Sequence, residues 1–260
     1  MTTPIYYVDA FTDELFSGNP AAVIFSQIKD GHLMQKIAAE NNLSETAFIR
    51  EENGIFHIRW FAPLCEIDLC GHATLASAYI FFKYIKPESS TFEVQSLKNG
   101  TLKVTKKNNL LVLDFPKDSL SKYNQFSLIE EIINTNLIEL YKGRDDVLAI
   151  VETEDVIRNL DINFKLLNTI NARGLIVSAG GIKCDFVSRF FAPSAGVNED
   201  PVTGSAHTTL VPYWSRELNK TKLLAMQLSD RGGVLFCENK KDRVLIGGKA
   251  VEYLTGKIHL

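Results

Sequence analysis

The sequence has no excess of basic residues, and this argues against a nucleic-acid partner. Its 260 residues contain 28 Lys and Arg against 31 Asp and Glu, which gives a formal net charge of -3. A protein that binds a phosphate backbone normally carries a basic surplus or a basic stripe. We therefore expect no nucleic acid among its partners.

Long apolar runs are absent as well. No stretch approaches the ~18 consecutive apolar residues that cross a bilayer as a helix, so we expect no membrane partner. The opening segment, M-T-T-P-I-Y-Y-V-D-A-F, lacks the basic region and apolar core of a secretory signal. The four cysteines are few for this length and show no stapling pattern. Free thiols and a cytoplasmic location are therefore the expectation.

The sequence does contain enough apolar residues for two hydrophobic cores. Hydrophobic residues make up 45% of the chain and charged residues 23%, which is ordinary globular composition. Two domains of about 130 residues each fall in the usual size range. Because Phe115-Pro116 closes the first half, the predicted domains are residues 1–115 and 116–260, with the last strand able to return to the first domain.

Two stretches of the chain repeat the same order of features. The first runs R-W-F-A-P from Arg59, then an acidic loop, then Cys70-Gly71-His72-Ala73 at the start of an apolar helix. The second runs R-F-F-A-P from Arg189, then an acidic loop, then Thr203-Gly204-Ser205-Ala206 at the start of another helix. This shared order indicates an internal duplication that gives two halves of similar build.

Each half combines many short strands with one helix that is apolar on most sides. The two helices are predicted over Ala73–Ile85 and Ala206–Leu218, and such helices must be enclosed. A strand-rich sheet that closes around a helix also loses its exposed edges. We therefore predict an α+β fold of two pseudo-symmetric domains, each an antiparallel β-barrel-like sheet wrapped around a central helix. A doubly wound α/β fold would need regular strand–helix alternation, which is missing.

The starts of the two helices are candidate anion sites. The first backbone N–H groups of a helix have no intrahelical partner, and the helix dipole adds positive charge there. Two such ends facing a shared cleft would bind a small carboxylate substrate. The alternative is that each glycine only permits a tight strand-to-helix turn. The candidate binding residues are Gly71, Ala73, Gly204, Ser205 and Ala206.

Three titratable residues are candidates for proton transfer at the predicted cleft. Glu45 lies in N-L-S-E-T-A-F, His72 at the first helix start and Asp200 four residues before Gly204. Together they could supply a general acid and a general base to one substrate. Each also has a structural alternative: an exposed strand-edge carboxylate for Glu45, and helix capping for His72 and Asp200. The helix dipole should disfavour the protonated form of His72.

Other kinds of site lack their essential parts. The sequence has no G-x-G-x-x-G, no G-x-x-x-x-G-K-[ST] and no G-x-S-x-G around Ser205, which argues against dinucleotide, P-loop and α/β-hydrolase sites. Cys65, Cys70 and His72 could be drawn with Asp68 as metal ligands, but their spacing fits no common zinc pattern. We therefore predict no metal.

Four ordered motifs resemble the PhzF, or phenazine biosynthesis-like, isomerase family, which belongs to the diaminopimelate-epimerase-like superfamily. They are V-D-A-F-T…F-S-G-N-P-A-A-V, N-L-S-E-T-A-F, R-W-F-A-P…D-L-C-G-H-A-T and R-F-F-A-P…E-D-P-V-T-G-S-A. The resemblance implies the diaminopimelate-epimerase-like fold, a homodimer and chemistry without a cofactor. Glu45 matches the proton-shuttling carboxylate of the family, and His72, Asp200 and Ser205 match its other active-site positions. The characterised reaction of the family isomerises trans-2,3-dihydro-3-hydroxyanthranilate by a proton shift.

The residue before each helix-start glycine separates two kinds of chemistry. Amino-acid epimerases of similar fold use two facing cysteines, one to remove a proton and one to return it. Here Cys70 precedes Gly71, but Thr203 precedes Gly204, and a threonine hydroxyl is no thiolate-like base at neutral pH. The sequence therefore favours a cofactor-independent isomerase over an epimerase or racemase. A catalytically silent binding or interaction protein of the same fold is the other alternative.

Overall fold

A computed structural model describes residues 2–260 of the chain. The chain divides into two compact units. The first consists of Met1–Asp114 with Gly247–Leu260, and the second of Phe115–Ile246. Within residues 2–260, no helix combines the length and the apolar character needed to cross a membrane.

The first unit contains two helices and most of the longer strands. Its helices are α1 (Gly31–Asn41) and α2 (Gly71–Ile80), and α2 continues into a π-helical segment, Phe81–Ile85. Its strands are β1 (Thr2–Ala10), β2 (Asn19–Phe25), β3 (Glu45–Glu52), β4 (Ile55–Phe61), β5 (Glu66–Ile67), β6 (Thr91–Ser96), β7 (Gly100–Lys107), β8 (Leu110–Pro116) and the final strand β17 (Ala250–His259).

The second unit contains four helices and a similar run of strands. The helices are α3 (Phe126–Ile133), α4 (Glu154–Arg158), α5 (Phe164–Leu167) and α6 (His207–Glu217), with a short 3₁₀ turn at Pro193–Ala195. The strands are β9 (Ser121–Lys122), β10 (Glu139–Lys142), β11 (Asp146–Ile150), β12 (Gly174–Gly180), β13 (Phe186–Phe191), β14 (Lys222–Gln227), β15 (Gly233–Asn239) and β16 (Arg243–Gly248).

The sheets of the two units follow the same pairing pattern. In the first unit the order is β17-β1-β2-β3-β4-β6-β7-β8, with β2–β3 and β4–β6 parallel. In the second it is β9-β10-β11-β12-β13-β14-β15, with β11–β12 and β13–β14 parallel. The predicted antiparallel sheets are therefore wrong in part, because both sheets are mixed. Each parallel pair arises where a helix lies between the two strands in the chain, since parallel neighbours need a crossover connection.

The duplicated motif folds in the same way in both units. In β4, the Arg59 guanidinium donates two hydrogen bonds of 2.7 Å to the Glu66 carboxylate. In β13, Arg189 makes the same two-fold contact with Glu199, also at 2.7 Å. The planar guanidinium matches the carboxylate fork, which fixes the acidic loop against its strand. The sequence repeat is thus a structural repeat.

The two apolar helices are enclosed, as their composition predicted. All residues of α2 are buried except Tyr79, which is partly exposed. This helix contacts β1, β2, β3, β7 and β17, which lie at opposite ends of the sheet order, so the sheet curls around it. In the second unit, α6 contacts β14 and β15, and its Trp214 Nε1 donates to Ser178 Oγ of β12 at 2.9 Å. Burial of these apolar faces is what holds strands and helix together.

Two element boundaries differ from the sequence prediction. The first central helix was expected to run to Ile85 as one α-helix, but its last five residues form the π-helical segment. The sequence predicts two strands at the chain end, Ala250–Leu254 and Lys257–Leu260, whereas the structure has one strand, β17, from Ala250 to His259 along β1. Gly256 suggests a break in the sequence, yet it pairs with Ile5, because strand pairing outweighs a local glycine preference.

Candidate active site

Glu45 lies at the start of β3, directly after the turn that ends α1. The C-cap residue Asn42 adopts the left-handed conformation with φ 49°, which reverses the chain into the strand. Glu45 pairs in parallel register with Ala21 of β2, so it lies at the edge where both strands begin. Its side chain is only 17% exposed. The alternative of an exposed strand-edge carboxylate is therefore excluded.

His72 is the second residue of α2, and its imidazole contacts Glu45. The Nε2 atom of His72 lies 3.0 Å from Oε2 of Glu45, and the His72 side chain is 5% exposed. The ring bonds to side chains and does not cap its helix, whose N-cap residue is Cys70. The structure therefore brings two of the three predicted acid/base residues into direct contact at one helix start.

Asn19 completes the contacts of the His72 ring, and the sequence reasoning missed it. The first residue of β2, it is fully buried and places Nδ2 3.1 Å from Nδ1 of His72. It follows Gly18, whose φ of 66° lies in the left-handed region. Gly18-Asn19-Pro20 has the residues of a turn, and no site role was predicted for it. The usable signal was its place within the family-like motif.

Cys70 is a thiol in this environment and not a thiolate. Burial raises its pKa to about 11, with the nearby Glu45 carboxylate adding to the shift. Its Sγ lies 3.5 Å from Nδ1 and 3.9 Å from Nε2 of His72. A thiol with this pKa is a poor base at neutral pH, because the thiolate is the reactive form. Cys70 is therefore a small buried residue without the reactivity of a thiolate.

The charge state of His72 is set by two opposed effects. Burial lowers its pKa, but the neighbouring Cys70 and Glu45 raise the pKa of His72 well above its usual value. Since Cys70 is protonated at neutral pH, the Glu45 carboxylate supplies the charge responsible. The Asn19 amide nitrogen favours the neutral ring, but a full charge at 3.0 Å is the stronger influence. The direction is opposite to that expected from the helix dipole alone.

Glu45, Cys70 and His72 are also the types of residue that bind zinc, and their ligand atoms lie within 4.8 Å of one another. The geometry does not fit a metal, however. A metal bound to an imidazole nitrogen lies outside the ring, along the lone pair of that nitrogen. A second ligand of the same metal is therefore much closer to the binding nitrogen than to the other ring nitrogen. The Cys70 sulfur is almost equally far from both, at 3.5 and 3.9 Å. The set drawn from sequence is not assembled either, because Cys65 is exposed and Asp68 pairs with Lys98.

In the second unit, Asp200 is bonded to Thr203. The Thr203 hydroxyl donates to Asp200 Oδ2 at 2.5 Å. The capping alternative for Asp200 is wrong, because Ala206 is the N-cap of α6 and no side chain caps it. The threonine that replaces a second cysteine thus serves as a hydrogen-bond donor to the predicted acid/base carboxylate.

The predicted substrate-binding residues of this unit form a turn before α6. The carbonyls of Gly204, Ser205 and Ala206 accept bonds from the N–H groups of the residues three positions later. Their own N–H groups belong to the first turn of the helical segment and point away from it toward its N-terminal side. Gly204 and Ala206 are buried, and Ser205 is half-buried. At α2 the helical bonding begins with Thr74 N–H to Cys70 C=O at 3.2 Å, a bond across four positions, so the N–H groups of Gly71 and Ala73 also belong to a first turn.

The chain matches a known protein family over most of its length. The model of the PhzC-PhzF family, described as phenazine biosynthesis-like protein, matches residues 8–256. The chain belongs to this family. An uncharacterized isomerase of Pseudomonas aeruginosa is 44% identical over 262 residues, covering 100% of both chains. The crystal structure of a PhzF-family phenazine biosynthesis protein from Enterococcus faecalis has a TM-score of 0.96 at 44% identity, again covering 100% of both chains.

More distant structures show the fold alone. A predicted epimerase from Pseudomonas aeruginosa has a TM-score of 0.79 at 15% identity and covers 98% of this chain and 99% of its own. The predicted family and the α+β, epimerase-like fold are therefore confirmed. Three relatives that are 42–45% identical are named uncharacterized isomerases, which agrees with the predicted class of enzyme.

Proposed function

We propose that the protein is a cofactor-independent isomerase that shifts a proton within a small carboxylate substrate. The observation that carries this proposal is the buried contact of 3.0 Å between Glu45 and His72 at the start of an enclosed helix. A carboxylate held by an imidazole, beside backbone N–H groups, is suited to take a proton from carbon and to return it. The isomerase names of relatives 44% identical support the reaction class.

Glu45 is the proton carrier in this proposal. Its carboxylate accepts a proton from one carbon of the substrate and donates the same proton to another carbon, so the net change is a shifted double bond. His72 holds the carboxylate through Nε2–H during the transfer. No oxidant, reductant or second substrate is needed, because the product is an isomer of the substrate. Asp200 is proposed to bind a polar group of the same substrate and to assist proton transfer.

The helix starts are the proposed carboxylate-binding groups. Backbone N–H groups at Gly71 and Ala73, with those at Gly204, Ser205 and Ala206, lie where the helix dipole favours negative charge. We propose a small anionic substrate for this reason. The cytoplasmic location remains a prediction from the sequence, and the homodimer remains a prediction from the family resemblance. Sedimentation equilibrium tests whether the protein is a dimer.

An epimerase mechanism with two thiols is the less favoured function. It needs two cysteines poised as thiolates, and Cys70 is a protonated thiol at neutral pH. The equivalent position in the second unit is Thr203, whose hydroxyl donates to Asp200. One thiol without a partner thiol cannot remove and return a proton from opposite faces of one carbon.

Solvent-deuterium exchange tests the proposal. Trans-2,3-dihydro-3-hydroxyanthranilate and a panel of cyclic and amino-acid-derived carboxylates are incubated with the protein in D2O, and NMR follows deuterium incorporation at carbon. We expect the wild type to exchange at least one compound and Glu45→Gln to lose at least about 100-fold in rate, as is typical when a general base is removed. Glu51→Gln, an exposed carboxylate on the same strand, is the matched control and should keep the wild-type rate.

Two outcomes would contradict the proposal. Exchange at the wild-type rate in Glu45→Gln would remove Glu45 from the reaction. No exchange by the wild type with any compound, together with saturable binding measured by calorimetry, would favour a catalytically silent binding protein of this fold.

A further inference from the structure

Gln227 is a buried residue that holds the loop carrying Asp200. It is the last residue of β14, and its side chain is 1% exposed. Its Oε1 accepts from the Thr203 N–H at 2.8 Å, and its Nε2 donates to the Asp200 carbonyl at 2.7 Å. A third contact joins Nε2 to Thr203 Oγ1 at 3.3 Å. One amide thus contacts the backbone at both ends of the Asp200–Thr203 loop and the hydroxyl beside the carboxylate.

These contacts fix the direction of the Thr203 hydroxyl. A hydroxyl has one proton to donate and lone pairs to accept with. The Gln227 amide nitrogen has only protons to offer, so Thr203 Oγ1 accepts from it. The single hydroxyl proton is therefore directed to Asp200 Oδ2, at 2.5 Å. Gln227 thus donates to Thr203, and Thr203 donates to the Asp200 carboxylate.

We propose that Gln227 is a positioning residue, which acts through the Thr203 hydroxyl to hold the Asp200 carboxylate in the orientation that the reaction requires. This inference rests on the proposed function, in which Asp200 contacts the substrate. It also gives the threonine before Gly204 a role. Where a two-thiol epimerase would place a base, this protein places a hydroxyl that orients a carboxylate.

The loop backbone is held by contacts that do not involve the hydroxyl. The Asp200 N–H donates to the Phe190 carbonyl at 3.0 Å. The Thr203 carbonyl lies 2.9 Å from Nδ1 of His207, which is fully buried and which burial keeps neutral by lowering its pKa to about 4. A neutral imidazole with Nδ1–H donates to that carbonyl. Loss of the Thr203 hydroxyl alone should therefore leave the loop in place and release only the carboxylate.

Three substitutions separate positioning from folding. Thr203→Val keeps the shape and removes the hydroxyl, whereas Thr203→Ser keeps the hydroxyl. Gln227→Glu keeps an acceptor for the Thr203 N–H, but its second oxygen cannot donate, so the hydroxyl proton turns toward Glu and away from Asp200. Where circular dichroism shows that Gln227→Glu does not fold, Gln227→Met, which also lacks the donor, replaces it.

The assay is the deuterium exchange described above, with kcat and KM measured separately on the compound that the wild type exchanges fastest. We expect Thr203→Val and Gln227→Glu each to lower kcat/KM by about 10-fold to about 100-fold, the value of a hydrogen bond to a charged group. Thr203→Ser should stay within about twofold of the wild type. The double variant Thr203→Val/Gln227→Glu should be no worse than the poorer single variant, because Gln227→Glu already removes the Thr203–Asp200 bond that Thr203→Val removes.

A second Gln–Thr pair provides the matched control. Gln95 Nε2 donates to Thr101 Oγ1 at 2.7 Å on an exposed hairpin of the first unit. Gln95→Glu should leave kcat/KM unchanged.

Four results would overturn the inference while the proposed function stands: equal activity of Thr203→Val and Thr203→Ser, wild-type activity of a folded Gln227→Glu or Gln227→Met, losses that add in the double variant, or an equal loss in Gln95→Glu. An inactive wild type would instead count against the proposed function and, with it, the inference.

Discussion

The Nε2 atom of His72 lies 3.0 Å from Oε2 of Glu45, although the two residues come from different elements of the first unit. The carboxylate opens β3, and the imidazole opens the helix around which the sheet curls. Both side chains are shielded from solvent, so the interaction between them is weakly screened. This contact determines the protonation of His72 and supports the assignment of Glu45 as the proton carrier.

Removing the Glu45 charge should reverse the shift of the His72 pKa. In the wild type the carboxylate raises the pKa of His72 well above its usual value against the effect of burial. In Glu45→Gln the charge is gone and Cys70 stays a neutral thiol, whereas burial and the contact with the Asn19 amide nitrogen still favour the neutral ring, so the pKa of His72 should fall below its ordinary value of about 6.5. Nitrogen-15 NMR of protein labelled in its imidazole rings measures the pKa of His72 in the wild type and in Glu45→Gln. His207 is the internal control, and a His72 pKa that does not change would show that Glu45 is not the cause.

His207 should make the protein less stable in mild acid. Burial lowers its pKa to about 4, so the unfolded chain binds a proton that the folded protein excludes. The contribution of a neutral His207 to stability is therefore complete above pH ~6.5 and is lost as the pH falls toward about 4. The loss amounts to about 3 kcal/mol at 1.36 kcal/mol per pKa unit.

Urea unfolding of the wild type and of His207→Asn at several pH values tests whether the stability falls with pH as predicted. Asn keeps a nitrogen donor near the Thr203 carbonyl but does not titrate. The free-energy advantage of the wild type should shrink between pH 7.5 and pH 4, by the amount given above. A constant difference between the two proteins would show that His207 titrates normally.

Thiol labelling should distinguish Cys70 from Cys65. Burial raises the pKa of Cys70 to about 11, so at pH 7.5 only about one molecule in 3000 carries the reactive thiolate. Cys65 is exposed. Iodoacetamide followed by peptide mass spectrometry should therefore modify Cys65 and spare Cys70 in the folded protein. All four cysteines should react in guanidinium chloride. Rapid modification of folded Cys70 would reopen a thiol-based mechanism.

Gly18 should tolerate alanine less well than Gly54 does. Both glycines have positive φ, 66° and 81°, so both variants carry the cost of ~1–2 kcal/mol for a left-handed residue. A Cβ at Gly18 would lie 2.3 Å from the Ala10 carbonyl oxygen, whereas nothing lies within 4 Å of one at Gly54. We expect Gly18→Ala to lose a further ~1–3 kcal/mol of unfolding free energy. Denaturant unfolding measures the difference, and equal losses would show that the chain relaxes around the new methyl group.

Much of the candidate site could be predicted from local sequence. Glu45 was singled out from its motif and His72 from its place at a helix start, and the structure places them in contact. The enclosed helices followed from apolar residues on all sides, which have no stable place at a surface. The duplicated R-[WF]-F-A-P stretches also fold alike, because the same arginine and glutamate recur at matching places in each unit.

Other parts of the site carried no readable signal. Gln227 is an ordinary residue at the end of a strand, and its contacts with Asp200 and Thr203 come from a strand that follows α6 in the chain. Asn19 was not among the predicted site residues, although it lies 3.1 Å from the His72 ring. Hydrogen bonds between residues far apart in sequence leave no periodic pattern, so motif and spacing arguments do not find them.

By itself, the sequence determined which helices must be enclosed, where the chain repeats and which side chains have the chemistry for proton transfer. These properties depend on local composition and on the identity of single residues. Only the tertiary structure decided which strands pair in parallel, that burial raises the pKa of the Cys70 thiol, and that Glu45 raises the pKa of His72. Parallel pairing depends on how crossovers pack, and a pKa depends on burial and on charges a few ångströms away, which the order of residues does not specify.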